Sequence, residues 1–255
     1  MNTVRVAING YGVIGKRVAD AVRAQDDMSL VGVADVGTDY RTRVAPLRGI
    51  PLFAATPEAA ERMRAAGMAV AGDLDALLGA SDVVVDCTPK KVAAENKRLY
   101  DARGLRSIFQ GGESHALTGH SFCAQANYAS AVGRTSTRVV SCNTTSILRT
   151  LGALKQAGLL QRARGTLVRR ASDPWEAHQD GIMNTVVPEK TIPSHQGPDA
   201  QTVDPTLDVV TIAVKASHNS SHLHTWWVEL TREASREEVL AAFRAAPRIA
   251  LVRTH

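Results

Sequence analysis

Residues 4–25 read VRVAINGYGVIGKRVADAVRAQ. The opening VRVAIN alternates and is rich in Val and Ile, which is strand patterning; GYGVIG interrupts it; Val18, Ala21 and Val22 then recur at helical spacing. A second strand-like run, LVGVAD, follows and closes on Asp35. The chain therefore opens on a complete β-α-β unit, the building block of a parallel sheet.

Inside that unit the GxGxxG spacing has a physical reading. Gly10 permits the tight turn, Gly12 lets the backbone approach a pyrophosphate, and Gly15 lets the helix pack on the strand with its N-terminus directed at the phosphates. Asp35 is placed to accept hydrogen bonds from both ribose hydroxyls and to repel a 2′-phosphate, which predicts NAD in preference to NADP. Arg41 and Arg43 could still reach a 2′-phosphate, so NADP stays open, and Asp35 could equally be a solvated strand end.

Further along, PEAAERMRAAG predicts a helix over 57–67, DLDALLGA a short helix, SDVVVDCT a buried strand and AAENKRLYDARG another helix. The alternation runs to about residue 140. From 164 onward it gives way to long strand-like runs, RGTLVRR, LDVVTIAVKA and HTWWVELT, joined by stretches containing Pro174, Pro188, Pro193 and Pro198. The expected fold class is α/β: a Rossmann-type doubly wound parallel sheet, followed by an α+β catalytic domain with a mainly antiparallel sheet. The expected domains are 1–141, dinucleotide-binding, and 142–255, catalytic.

At 255 residues and 44% hydrophobic content the chain can bury a substantial core. It shows no apolar run of membrane-spanning length and no basic, apolar leader, so a cytoplasmic protein without a membrane partner is expected. The formal charge of +5 is spread along the sequence, and four Phe and four Tyr offer little base stacking. That argues against nucleic acid and suits anionic substrates. Cys87, Cys123 and Cys142 are an odd, widely spaced set with no CxxC pair, which predicts free thiols and no metal site.

One of the three stands apart. In RVVSCNTTSILRTLGALKQ a strand precedes Cys142 and a helix follows it, with Thr144 and Thr145 as candidate caps and Ile147, Leu148, Leu151 and Leu154 at helical spacing. At a helix N-terminus the dipole and free amides would stabilise a thiolate, and then the oxyanion formed when it attacks a carbonyl; Asn143 could add a donor. Cys87 and Cys123 read as inert core thiols.

The motifs NGYGVIGKRVADAV, FQGGE, AQANY, VVSCNTT and PSHQGPDAQTV occur in that order. Together they resemble the archaeal-type (type II) phosphorylating glyceraldehyde-3-phosphate dehydrogenases, almost from end to end of the chain. The resemblance implies a homotetramer that oxidises glyceraldehyde 3-phosphate with inorganic phosphate to 1,3-bisphosphoglycerate, and the reverse, through a cysteine thioester. Carried over by motif, Val13, Ile14 and Gly111 would touch the cofactor and Arg170 would lie near it, while Ser141, Cys142 and Asn143 would meet the substrate and His195 its phosphate. The family's catalytic histidine falls in HLHTWWVEL, which contributes both His222 and His224; on a strand these share one face, and the sequence leaves the choice open. Whichever acts would take the hydroxyl proton while hydride passes to the nicotinamide.

Three departures from the family pattern stand out. Lys90 and Lys91 replace a glycine pair near the cofactor, Gln196 replaces a second histidine after His195 while keeping hydrogen-bonding capacity, and the sequence stops at LVRTH, short of the family's usual C-terminal segment. These motivate two alternatives: a shortened, catalytically silent paralogue that binds nucleotide, or a related semialdehyde dehydrogenase.

Overall fold

A computed structural model describes residues 3–172 and 185–252; Pro174 lies outside them. The polypeptide divides into two compact units, Met1–Ser121 with Ala131–Val139, and Phe122–Ser130 with Val140–His255.

The first unit is built on strands β1 (Val4–Asn9), β2 (Met28–Asp35), β3 (Leu52–Ala54), β4 (Gly72–Asp73), β5 (Val83–Asp86), β6 (Arg106–Phe109), β7 (Ser121–Phe122) and β8 (Ser136–Val139). Their spatial order is β4-β3-β2-β1-β5-β6-β8-β7. From β4 through to β8 every neighbouring pair runs parallel. Helices α1 (Val13–Arg23), α2 (Tyr40–Leu47), α3 (Pro57–Ala65), α4 (Leu74–Gly79) and α5 (Ala93–Ala102) link successive strands. Because parallel strands need crossovers, helices cover both sheet faces and the central strands are buried on both sides. Ala7, Ile8, Val33, Leu52 and Val84 are accordingly buried. The strand order reverses between β2-β1 and β5, which opens a crevice at the carboxyl ends of β1 and β5, where ligands of such sheets bind.

The second unit contains α6 (Ala124–Ala131, kinked at Asn127), α7 (Cys142–Gln156), strands β9 (Leu160–Arg170), β10 (Val186–Pro188), β11 (Val209–Ala216) and β12 (His222–Leu230), and helices α8 (Gln196–Gln201) and α9 (Arg236–Ala245). The sheet order is β10-β11-β9-β12. It is mixed: β10 and β12 run antiparallel to their neighbours, whereas β11 and β9 are parallel. The long connection between β9 and β11 accommodates that parallel pairing.

Alternation sorts the two faces of this sheet. Ala163, Leu167, Val209 and Ala213 point inward and pack with Ile147, Leu148 and Leu151 of α7, and Trp226 sits against them. Gly165 makes room for that ring, since a Cβ there would meet Trp226 at 2.2 Å. The other face carries Ile212, Leu223 and Trp227, at 43%, 60% and 60% exposure.

Candidate active site

The glycine loop takes the form its spacing demands. Gly10 has φ +95, and a Cβ on it would meet the Cys87 carbonyl carbon at 2.7 Å. Gly15 lies so close under the turn that a Cβ would fall 1.9 Å from the Gly10 oxygen. Around Gly12, by contrast, a Cβ would find nothing within 4 Å. Gly12 is also the N-cap of α1, and no side chain there bonds to the first amides. A pyrophosphate fits this cradle, with two glycines closing the turn and the third leaving room. Val13 and Ile14 are exposed at its rim.

Asp35 does more than close β2. Its Oδ2 accepts the Tyr11 amide at 2.7 Å and its Oδ1 accepts the amides of Val36 and Gly37 at 2.7 and 2.8 Å. It is thus no free strand end: it ties the glycine loop to the start of the next turn, with one acceptor site left, on Oδ2. Gly111 donates its amide to Glu113 at 3.0 Å; that carboxyl is buried, and desolvation raises its pKa. Lys90 and Lys91 are exposed, at the turn after β5.

In the second unit the cap of α7 differs from the sequence expectation. Ser141, not Thr144 or Thr145, is the N-cap: its Oγ accepts the Thr144 amide, and both threonines lie within the first turn. Thr144 is fully buried and donates instead to Asp199 at 2.8 Å. Cys142 therefore occupies the first helical position, where backbone amides lack intrahelical partners. It is exposed, whereas Cys123 is buried and Cys87 partly so. Desolvation, then the nearby Asp86 and Glu113 carboxyls, push the Cys87 thiol up to about 12, and burial likewise raises that of Cys123.

The two histidines of β12 do share a face, yet their partners differ. His222 Nε2 stands 3.3 Å from Cys142 Sγ, and its Nδ1 accepts the backbone amide of Arg170 at 3.2 Å. Desolvation, then the charges of Arg170 and Arg169, lower its pKa to about 4. A neutral ring whose Nδ1 accepts carries its proton on Nε2, so His222 donates toward the sulfur. His224 Nε2 bonds instead to Asn143 Oδ1 at 2.9 Å, which turns the Asn143 amide nitrogen toward Cys142 Sγ, 3.9 Å away. His224 is half buried, its Nδ1 has no partner among the described residues, and burial lowers its pKa. Arg170, expected near a cofactor, enters this arrangement through its backbone amide and its charge.

Farther along the unit, His195 is exposed and Gln196 is wholly buried, and both engage Glu189: His195 Nδ1 at 2.9 Å and Gln196 Nε2 at 3.0 Å. Arg169 pairs with the same carboxylate. Neither Glu189 nor Arg169 was legible from the sequence as a site residue. The one cue was the adjacency of Arg169 to Arg170 in LVRR.

Residues 141–254 match the family model for the C-terminal domain of glyceraldehyde 3-phosphate dehydrogenase, and residues 4–109 match that for the N-terminus of dihydrodipicolinate reductase. Among solved structures, aspartate-semialdehyde dehydrogenase II of Vibrio cholerae superposes with a TM-score of 0.69 over 100% of this chain and 81% of its own, at 14% identity, which speaks to the fold alone. Among curated relatives, proteins named glyceraldehyde-3-phosphate dehydrogenase from Methanococcoides burtonii and Archaeoglobus fulgidus are each 45% identical over 99% of this chain, covering 75% and 74% of their own lengths. The one from Thermococcus kodakarensis is 45% identical over 97% of this chain and 73% of its own. Identity at that level across both units, on top of an ordered run of motifs, decides between the shared fold and the specific lineage: the chain belongs to the archaeal-type glyceraldehyde-3-phosphate dehydrogenases.

Proposed function

We propose that this chain oxidises glyceraldehyde 3-phosphate with inorganic phosphate to 1,3-bisphosphoglycerate, and runs the reverse, through a thioester on Cys142. The observation that carries this reading is the 3.3 Å pairing of an exposed cysteine sulfur at a helix start with a histidine nitrogen. The Cys142 thiolate adds to the aldehyde carbon, forming a C–S bond and an alkoxide. His222 Nε2–H is within reach of that charge, and the Asn143 amide adds a second donor. A nicotinamide cofactor, with its pyrophosphate held by the glycine loop of Gly10, Gly12 and Gly15, would supply the hydride acceptor. Collapse of the alkoxide leaves a thioester, which phosphate attacks to release the acyl phosphate and return the sulfur, with one proton lost overall.

In this scheme His222 is a donor that stabilises charge, rather than the base that family resemblance implies. To take up a proton at Nε2 the ring would first have to move its own proton to Nδ1 and forgo the Arg170 amide. His224 acts through Asn143 as a positioning residue. An enzyme is favoured over a silent paralogue because sulfur, imidazole and amide are assembled within bonding reach. Formation of reduced nicotinamide by the purified protein, with glyceraldehyde 3-phosphate or a carboxylate-bearing semialdehyde and with and without phosphate, tests the reading: turnover of the semialdehyde in preference to glyceraldehyde 3-phosphate would favour a semialdehyde-type enzyme, and NAD binding without turnover a silent one.

NAD is the proposed cofactor. Three amides anchor Asp35 at the end of β2 beside the glycine loop, and a carboxylate at that position supports NAD because it disfavours a 2′-phosphate. Asp35→Thr is expected to shift kcat/KM toward NADP relative to NAD by about tenfold, roughly 1.4 kcal/mol. The variant should also lose some thermal stability, because Tyr11, Val36 and Gly37 lose their acceptor. An unchanged cofactor ratio would remove Asp35 from the cofactor site.

A homotetramer is proposed as well, supported by the apolar outer face of the second sheet, where Ile212, Leu223 and Trp227 are exposed. Sedimentation velocity should then show an assembled species. A cytoplasmic setting fits such an enzyme. Among the described residues no helix is long and apolar enough to cross a membrane.

A further inference from the structure

Four donors converge on one carboxylate in the second unit. Glu189 Oε1 receives the Arg169 guanidinium and the Gln196 amide, and Oε2 faces His195 Nδ1 at 2.9 Å and the His195 backbone amide at 3.5 Å. A guanidinium fork, an imidazole, a carboxamide and a main-chain amide form a set suited to an oxyanion. Gln196 itself is wholly buried, as is the adjacent Ser194, whose Oγ bonds to Thr211 Oγ1 at 2.7 Å.

The position matters as much as the chemistry. Arg169 lies directly across from His222 in the β9–β12 register, so the receptacle adjoins the histidine that meets Cys142 Sγ. Glu189 comes from the opposite side, just after β10, which ends the sheet among the described residues. Its backbone is pinned through the Ala213 carbonyl at 2.8 Å, but its side chain is long and rotatable. A carboxylate is the one group in this cluster that would repel a phosphate.

We propose that Glu189 is a resident anion, its carboxylate filling a receptacle for phosphate oxygens formed by Arg169, His195 and Gln196, and that a phosphate group enters by displacing it. This rests on the phosphorylating reading above and adds to it a residue that sets phosphate affinity. Displacement swaps a tethered anion for a free one. The receptacle is thus kept satisfied when empty of substrate, at the cost of weakening phosphate binding.

Glu189→Gln removes the charge and keeps the shape. The expected result is a fall of threefold to tenfold, in order of magnitude, in the KM of one phosphate-bearing reactant. A fall confined to inorganic phosphate assigns the receptacle to the attacking anion; a fall confined to glyceraldehyde 3-phosphate assigns it to the substrate ester. Inorganic phosphate should also raise the Tm of Glu189→Gln more than that of the parental protein. A Glu189→Ser variant gives the same comparison if the amide packs badly. If Glu189 is a brace instead, both variants raise the KM of both reactants and blunt the phosphate-induced Tm shift, and that result, or no change in either, overturns the proposal. The Tm comparison needs no turnover. A parental protein without phosphate-dependent oxidation, whose Glu189→Gln form nevertheless gains Tm from phosphate, would sink the functional reading and leave the receptacle standing.

Discussion

Cys142→Ser is expected to abolish aldehyde oxidation, by on the order of 10⁴-fold or more, while leaving NAD binding at the parental level. The reason lies in the atom that attacks: at neutral pH a serine hydroxyl supplies almost no anion, and the intermediate it would form is an ester rather than a thioester. Binding should be spared because the glycine cradle of the first unit uses backbone amides and open space at Gly12. Cys87→Ser and Cys123→Ser should remain active. Iodoacetamide mapping gives an independent check, since Cys142 is exposed while Cys87 and Cys123 are enclosed and their thiols are held in the protonated form by desolvation. Cys142 should be alkylated first, with NAD retarding the reaction. Parental turnover in Cys142→Ser, or alkylation of all three at one rate, would rule out the thioester route.

The second large effect is expected at His222. Removing one preorganised donor from a developing oxyanion costs roughly 10² to 10³ in kcat, and His222→Ala should fall in that range. His222→Gln separates donor from base. A carboxamide can present an N–H toward Cys142 Sγ but cannot accept a proton, so partial recovery over alanine supports the donor role. Equal loss in the two variants would return His222 to the base role. His224→Ala should fall short of His222→Ala, because His224 reaches the sulfur only through Asn143. The folded protein should also respond to acid through this residue. Burial and the neighbouring arginines hold His222 neutral down to about pH 4 in the native state, against 6.5 ordinarily. Between those values the unfolded chain binds a proton that the folded one refuses, so stability declines as pH falls through that window.

Much of this architecture follows from local pattern. Alternation in VRVAIN, the glycine spacing and the helical recurrence of Val18, Ala21 and Val22 are enough for a β-α-β unit, because each glycine answers a steric demand of the turn itself: Gly10 needs φ +95 and Gly15 cannot carry a Cβ. Cys142 at a helix start was legible for the same reason, since capping is a property of adjacent residues, although the sequence favoured the threonines over Ser141 as the cap.

What the sequence left open involves partners far apart along the chain. His222 and His224 are equivalent by strand period, and they are distinguished only when β12 is laid across β9, bringing one ring to Cys142 and the other to Asn143, 80 and 81 positions away. The tautomer of His222 depends on a backbone amide of the neighbouring strand. The parallel pairing of β11 with β9 within an otherwise antiparallel sheet is likewise a matter of topology, because apolar alternation looks alike in strands of either direction. Composition, turns and the helix that starts at Cys142 were written locally; the tertiary fold chose which histidine faces the sulfur and brought Glu189 against Arg169, His195 and Gln196, contacts that the local sequence does not specify.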